Sequence, residues 1–458
     1  MSSHHTEKKR RRFAYVGTGS RVKMFLDPVA TSYAEDSEIV GLCDSSMVRA
    51  EYHRDRIIRE LGYREVPLYK AADFHRMLEE TKPDTVVVCS VDCTHDYYIT
   101  ESLHAGCSVV TEKPMTVNAE KCQSVLDAVS ETQRPVQVTF NYRWAPGATK
   151  VKELLSTGVI GNIYQVNMEY CLNTSHGADY FRRWHSIKEC SGGLLVHKST
   201  HHFDLINWWI DAVPDRVFAR GGLFFYGKEN AVKRGDEVFT KYDRYHGNIT
   251  SGKQDPFAFI YDDADYDQVY NRNIYLDAEK ENGYLRDMNV FRAGIDIEDV
   301  MNVSVRYRNG ILLNYSLNAF SPNEGYRVTF TGNRGRIEYS EVHGAHILFE
   351  DGTKKPVNEH AHSGRHHLKV FPMFKEPYEI EVIPGKGGHG GGDILLQEQI
   401  FSANPPKDPF GRHAGHEQGA ASILIGIAAN RSIRTGQDEK ITDLVPLRPD
   451  AARLSELI

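Results

Sequence analysis

Short apolar runs, each closed by glycine or an acid, recur through the first 140 residues. Phe13-Ala14-Tyr15-Val16 ends in Gly17-Thr18-Gly19, and the run over 38–43 ends at Asp44. Thr85-Val86-Val87-Val88-Cys89 carries no charge, as expected of a strand buried on both faces. Cys107-Ser108-Val109-Val110 leads directly to Glu112-Lys113-Pro114, and 135–140 is the last such run. Helix-like segments at 46–61 and 72–81 separate them, the second stopping before Pro83. Strands alternating with helices predict an α/β unit over 13–140, a doubly wound parallel sheet of Rossmann type.

The pattern changes after Asn141. A helix near 147–156 meets turns at Gly158 and Gly161. Alternating, strand-like stretches follow at 163–172, 217–225, 300–308, 311–317 and 327–331, with turn signals at Asn309-Gly310 and Gly332-Asn333. This predicts a C-terminal α+β domain, 141–458, built on a large mixed or antiparallel sheet. The polar stretch 227–299 reads as an insertion, a substrate cover or an interface. A glycine-dense stretch at 385–392 precedes a helix near 393–401. A second helix, 417–434, has small residues on one face and ends near Gly436. Residues 1–12, with the basic run Lys8–Arg12, read as a flexible solubilising tail; a nuclear address or an anionic partner is the alternative.

Composition narrows the class. The chain has 458 residues, 40% apolar and 26% charged, the balance of a soluble globular protein of two or three domains. Lys+Arg 55 against Asp+Glu 62 leaves a net charge of −7, which argues against nucleic acid as a partner. Apolar runs fall short of the roughly 20 residues of a membrane span, so no membrane partner is expected. No charged segment followed by an apolar one opens the chain, which argues against a cleaved secretion signal. Seven cysteines, an odd number with no C-x-x-C, read as reduced thiols of a cytoplasmic protein. Cys89 and Cys93 have no second cysteine pair to complete a zinc site.

Gly17-Thr18-Gly19-Ser20-Arg21-Val22 follows the first strand and opens a helix. Glycines there let a pyrophosphate approach the backbone at a helix N-terminus. Asp44 closes the second strand, where an acid accepts hydrogen bonds from adenosine ribose and repels a 2′-phosphate, favouring NAD over NADP. The third glycine position is Val22.

Glu112-Lys113-Pro114 lies past a buried strand, at the sheet edge where ligands sit. Gly192-Gly193 leads a segment that reads as one helix, with His197 and His201 one turn apart and Asp204 a further turn along. Imidazoles there suit proton transfer near neutral pH. The pair also has metal spacing, but no third ligand is evident, so no metal is assigned.

Taken together, these pieces resemble the glucose–fructose oxidoreductase / inositol dehydrogenase / rhizopine catabolism (Gfo/Idh/MocA) family. The resemblance rests on Gly17-x-Gly19, Asp44, the stretch Ser90 to His95, Glu112-Lys113-Pro114, Gly158-x-x-Gly161, and the segment from Gly192 to Asp204. It spans at least 13–210 and continues loosely beyond. It implies NAD held by Gly17, Thr18, Gly19, Ser20, Arg21, Asp44, Ser90, His95, Glu112 and Lys113, with substrate at the domain junction. It implies Lys113 as the family lysine and His201 as general base. His197 stands where the family often has aspartate, which leaves the number of basic groups open.

On the substrate side, His176, Tyr180, Arg183, Trp184 and His185 mix flat rings with charge, as carbohydrate recognition requires. Tyr142, Arg143, Trp144, Lys198 and His389 are further candidates for substrate contact, beside His197 and His201. The leading expectation is an NAD-dependent oxidoreductase acting on a sugar, polyol or glycoside hydroxyl, assembled as a homo-oligomer, a dimer or tetramer. The alternative is an NAD-dependent glycoside hydrolase or lyase using transient ring oxidation and elimination. A dinucleotide-sensing regulator is the third reading, and the Lys113/His201 pair argues against it.

Overall fold

The computed structural model describes residues 9–250, 255–261, 266–344, 346–350, 353–356, 365–385 and 387–457. The valine run forms β4 (Thr85–Val88) of a parallel sheet with β1 (Arg11–Val16), β2 (Ser37–Asp44), β3 (Leu68–Lys70), β5 (Ser108–Thr111) and β6 (Val136–Val138). The strand order is β3-β2-β1-β4-β5-β6. The chain therefore reverses its winding between β1 and β4, and ligands of open α/β sheets bind at that crevice. Gly17 takes φ +85 there, and a Cβ on it would lie 2.5 Å from the Cys89 carbonyl carbon and the Ser90 nitrogen. Only glycine lets the turn after β1 close on the loop after β4.

Arg11 and Arg12, placed in the tail by the sequence reading, instead open β1. Glu38 on β2 pairs with Arg10 at 3.0 Å, Arg12 at 3.1 Å and Arg64 at 2.6 Å, so one carboxylate ties two arginines of the basic run to the second strand. The expected tail over 1–8 lies outside the described residues. β3 was not foreseen; three residues are too few to show a period.

The second sheet contains β7 (Ile163–Asn173), β8 (Pro214–Gly222), β9 (Val300–Tyr307), β10 (Leu312–Ser321), β11 (Glu324–Gly332) and β12 (Gly335–Gly344). After a separate hairpin of β13 (Ile347–Glu350) and β14 (Thr353–Pro356), β15 (His366–Pro372), β16 (Tyr378–Ile380) and β17 (Glu439–Lys440) complete it. Its order is β16-β15-β12-β11-β7-β10-β9-β8-β17, and β7 with β10 is its parallel pair among antiparallel neighbours. Met301, Val303 and Val305 alternate inward with exposed Asn302 and Ser304. Helices Pro146–Ser156, Thr200–Ile210 and His416–Thr435 pack in the domain's apolar core, and Trp209 donates its indole N–H to the Ala148 carbonyl at 2.9 Å. No helix among the described residues is long and apolar enough to cross a membrane.

The C-terminal stretch returns to the first sheet. Leu396, Ile400 and Phe401 of helix Gly392–Phe401 join the core of Phe13, Phe25, Leu26 and Val29, with Phe401 edge-on to Phe13 at 5.2 Å. Val138 of β6 donates its N–H to the Ala414 carbonyl at 3.0 Å. Residue 140 thus separates the two sheets in sequence but not their packing.

The base of the insertion is tied down by Asp299, whose carboxylate accepts the N–H groups of Phe224, Phe225 and Tyr226 at 2.7–3.0 Å. None of the residues lining the groove on the open face of the second sheet comes from the insertion. Its described residues reach the glycine turn instead.

Candidate active site

The carboxyl ends of β1, β4 and β5 meet helices Thr174–Arg182, Leu194–His197 and Thr200–Ile210 around a cleft of about 800 Å³. Gly17, Gly19, Ser20, Arg21, Asp44, Ser90, His95, Glu112 and Lys113 line one part. His176, Tyr180, Arg183, Trp184, His185, His197, Lys198, His201 and His389 line the other.

At the glycine turn, the Ser20 N–H donates to the Tyr275 hydroxyl at 3.1 Å, and that hydroxyl donates to Ser20 Oγ at 3.1 Å. An oxygen acceptor from the insertion thus already sits at the start of the helix, where phosphate oxygens find backbone donors. A Cβ on Gly19 would be in van der Waals contact with this hydroxyl, at 3.5 Å, so a ligand oxygen that takes the Ser20 N–H replaces the Tyr275 hydroxyl there. These features fit a pyrophosphate.

Asp44 is tightly held. Oδ2 accepts from Thr18 N at 2.5 Å and Thr18 Oγ1 at 2.9 Å; Oδ1 accepts from Ser46 N at 2.8 Å and from Arg49 Nε and Nη2 at 3.0 and 2.8 Å. A ribose diol there competes with Arg49 and Thr18. Thr18 is fully buried, and Arg21 turns to Glu112 at 2.6 Å. His95 places Nδ1 2.8 Å from the Pro114 carbonyl and Nε2 3.1 Å from the Ser90 carbonyl. It ties the loop after β4 to the turn after Lys113.

The helix predicted from Gly192 to Asp204 is interrupted. Leu194–His197 and Thr200–Ile210 flank Lys198 and Ser199, and Ser199 donates its N–H to the Leu194 carbonyl at 2.8 Å, one residue beyond the α-helical partner. The slip sends the two histidines to different neighbours. His197 places Nδ1 2.5 Å from Asp92 Oδ2, while its carbonyl accepts from Lys113 Nζ at 3.2 Å. His201 stacks on Tyr142 at 4.3 Å and 12°, and its Nδ1 has no hydrogen-bond partner among the described residues.

Burial, reinforced by Lys113, holds both imidazoles well below their ordinary pKa, so they stand neutral. Against an ionised Asp92, a neutral His197 donates from Nδ1 and keeps Nε2 as an acceptor. Burial raises the Asp92 carboxyl and lowers the Lys113 ammonium. It also brings Lys198 down to about 8.

Three residues expected to touch substrate do not line the cleft: Tyr142 lines a neighbouring cavity instead, and Arg143 and Trp144 line neither. Arg143 is fully buried in a bidentate pair with Asp204, at 2.7 and 2.6 Å, because an interior guanidinium requires a carboxylate. Trp144 joins the core under helix 392–401, with Arg412 4.4 Å above its ring. The cleft also contains residues that sequence reasoning missed: Asp92, Arg49, and Tyr275, Asn282 and Tyr284 of the insertion. Asp92 lay within the quoted Ser90–His95 stretch, so an acid beside a candidate site was the available signal. For the insertion the signal was the polar stretch 227–299 as a whole, read as a cover or an interface, and no single residue in it stood out.

A two-domain oxidoreductase with an NAD-binding Rossmann domain is the class this fold and cleft define. Residues 11–140 match the oxidoreductase family NAD-binding Rossmann fold, and 152–442 match the oxidoreductase family C-terminal alpha/beta domain. The chain belongs to the Gfo/Idh/MocA oxidoreductase family. It is 35% identical over 440 residues to YteT of Bacillus subtilis, which carries only a general oxidoreductase name, covering 92% of this chain and 95% of that one. D-glucoside 3-dehydrogenase of Escherichia coli is 30% identical over 156 residues, 33% of this chain and 41% of that enzyme. Among solved structures, the WlbA dehydrogenase of Bordetella pertussis, in complex with NADH and UDP-GlcNAcA, matches with a TM-score of 0.59. Its sequence identity is 16%, over 94% of this chain and 99% of that one, a likeness of fold.

Proposed function

We propose that the protein oxidises a hydroxyl of a sugar, polyol or glycoside, passing hydride to NAD. The observation that carries this reading is one cleft lined both by the glycine turn with Asp44 and by Lys113, His197 and His201. The glucoside dehydrogenase named above supports the substrate class.

Gly17, Gly19 and Ser20 would hold the pyrophosphate, with Thr18 fixing Asp44 beside the adenosine ribose. The nicotinamide supplies the hydride acceptor. The chain's own residues handle the proton. Lys113 donates to the substrate oxygen and stabilises negative charge as it develops. His201 receives the hydroxyl proton, and His197, whose tautomer Asp92 sets, serves as a second base. Aromatic and charged groups from His176 to His185 grip the remaining hydroxyls and exclude water.

The abundance of neutral imidazoles, with a lysine near neutrality in Lys198, favours a second reading: glycoside cleavage through transient oxidation and elimination. One assay separates them. NADH absorbance and released aglycone are followed together across polyols, sugars and glycosides. Stoichiometric NADH supports net oxidation, aglycone without NADH supports cleavage, and neither product from any substrate refutes both. Lys113→Ala, His201→Ala and His197→Ala each lower turnover by roughly 10²–10⁴ with NAD still bound, the range of general acid–base help.

The reading includes a cytoplasmic homo-oligomer, supported by free cysteines and by the open sheet face. A monomer in light scattering at micromolar concentration counts against the assembly.

A further inference from the structure

Lys198 stands between two cavities. It lines the main cleft and also a neighbouring space of about 390 Å³, lined among the described residues by Tyr142, Glu324, Tyr326, Glu341, His343 and His389, among others. That volume is within the range of small-molecule sites. The nicotinamide chemistry argued above uses none of Glu324, Tyr326, Glu341 or His343.

The Lys198 ammonium is poorly satisfied. The residue is 5% exposed, and its one side-chain hydrogen bond among the described residues runs to the Tyr142 hydroxyl at 3.4 Å. The faces of Tyr142 and Tyr170 lie 5.7 and 5.0 Å from Nζ. An ammonium has three donors, so two N–H groups lack an acceptor among the described residues at the junction of the cavities. A buried, under-satisfied cation there calls for an oxygen from a ligand.

The far cavity supplies hydroxyl acceptors. Burial alone would raise the Glu324 carboxyl, but His176, 2.8 Å away, with Lys198 and His343, lowers it to about 2. Burial likewise opposes ionisation of Glu341, and His343, His366 and the Tyr339 hydroxyl lower it to about 2. Glu341 Oε2 accepts from Tyr326 at 3.1 Å and Tyr339 at 3.0 Å, and Oε1 faces His343 Nε2 at 3.3 Å. Each carboxylate oxygen has two acceptor positions: Glu341 Oε2 has both filled, while Glu341 Oε1 and Glu324 Oε2, which receives the Asn173 N–H at 3.3 Å, each keep one for a sugar hydroxyl. Tyr142 and Tyr326 add flat faces. Two carboxylates repel a uronate or phosphate and accept a neutral or amino sugar.

We propose that this second cavity is a subsite for a second hydroxylated unit, of pyranose size, joined to the oxidised ring through an oxygen that Lys198 holds. The inference rests on the proposed function and narrows its substrate class to O-linked disaccharides and glycosides with a polar aglycone.

The test compares kcat/KM of the full chain with excess NAD for glucose, methyl β-glucopyranoside and cellobiose, and for galactose, methyl β-galactopyranoside and lactose. Product is read as NADH and as released sugar or methanol. At least one disaccharide should exceed its methyl glycoside tenfold or more. Glu341→Gln should shrink that ratio at least fivefold, and Glu324→Gln, at the other carboxylate of the cavity, provides a second variant should the first fail to fold. Turnover of methyl glycosides with no disaccharide preference overturns the subsite and spares the redox reading, as does a ratio that neither variant moves. Should no sugar turn over, the redox reading fails and binding decides the subsite. In tryptophan-fluorescence titration of the NAD-loaded protein, tenfold tighter binding of cellobiose or lactose than of its free monosaccharide supports it, and equal binding overturns it.

Discussion

Asp92→Asn removes the carboxylate that meets His197 Nδ1 at 2.5 Å while keeping a side chain of nearly the same shape. With Asp92 in place, a neutral His197 holds its proton on Nδ1 and presents Nε2 as a base. When the ring takes a second proton, the carboxylate faces an imidazolium. A hydrogen bond to a charged group contributes about 1.5–3 kcal/mol. Lost from the transition state alone, that amounts to about 10- to 150-fold in rate. The variant should therefore lower kcat by that factor while NAD affinity, read by fluorescence quenching, stays within twofold.

The pH profile has a defined sign. A carboxylate beside an imidazole favours its protonated form, so removing it lowers the His197 pKa and moves the acid limb of kcat to lower pH. Stability should move the other way from activity. The Asp92 carboxyl is raised above its unfolded value by burial, so the folded state binds more protons and loses stability as pH rises through the unfolded pKa toward the folded one. Asparagine carries no such burden, so its Tm at pH 7 should be no lower than that of the parent. A kcat within twofold of the parent, with an unmoved acid limb, would refute the role of Asp92 and of His197 as a base.

Further outcomes follow from other contacts. Lys198 has a folded pKa of about 8 against roughly 10.4 unfolded, so the unfolded state binds more protons in that window. The parent should gain up to roughly 3 kcal/mol over Lys198→Met between pH 8 and 10.5 in urea unfolding; a difference independent of pH contradicts this. Gly426→Ala places a Cβ 2.2 Å from the Leu195 carbonyl oxygen, beneath the helix carrying His197, and should cost about 1–3 kcal/mol in thermal unfolding. A variant as stable as the parent shows that the helices part without strain. Asp44→Asn leaves the buried Arg49 without its anion and should weaken NAD binding while narrowing its advantage over NADP. A native preference for NADP of tenfold or more, measured by titration, contradicts the assignment of Asp44.

What was legible in the sequence was local. An apolar run closed by Gly17 or Asp44 shows its strand and its end together, and Glu112-Lys113-Pro114 marks a strand edge because it follows a buried run. The spacing of His197 and His201 was legible only under the assumption of an unbroken helix. Ser199 shifts the hydrogen-bond ladder by one residue, and the two rings diverge, one to Asp92 and the other to Tyr142. Arg143 and Trp144 misled for a related reason. An arginine and an aromatic ring beyond a strand fit a carbohydrate cleft, and they equally fit a buried ion pair and a core ring. The choice between those uses was made by Asp204 and Arg412, which lie far along the chain.

Distance along the chain also hid the groups that organise the chemistry. Asp92 stands 105 residues before the histidine it orients, and Tyr275 stands 255 residues after the serine whose N–H it receives. Neither pairing leaves a periodicity, because an isolated polar contact repeats nothing. Residue type states what a side chain can do; only packing states whether it is free to do it. His95 and His197 have the same imidazole, both buried and near Lys113. Both ring nitrogens of His95 face backbone carbonyls, so it holds a loop. His197 has one nitrogen on a carboxylate and the other available, the condition for a base. Asp92 therefore separates His197 from His95, and for that reason the substitution at position 92 tests the part proposed for His197 while leaving both rings in place.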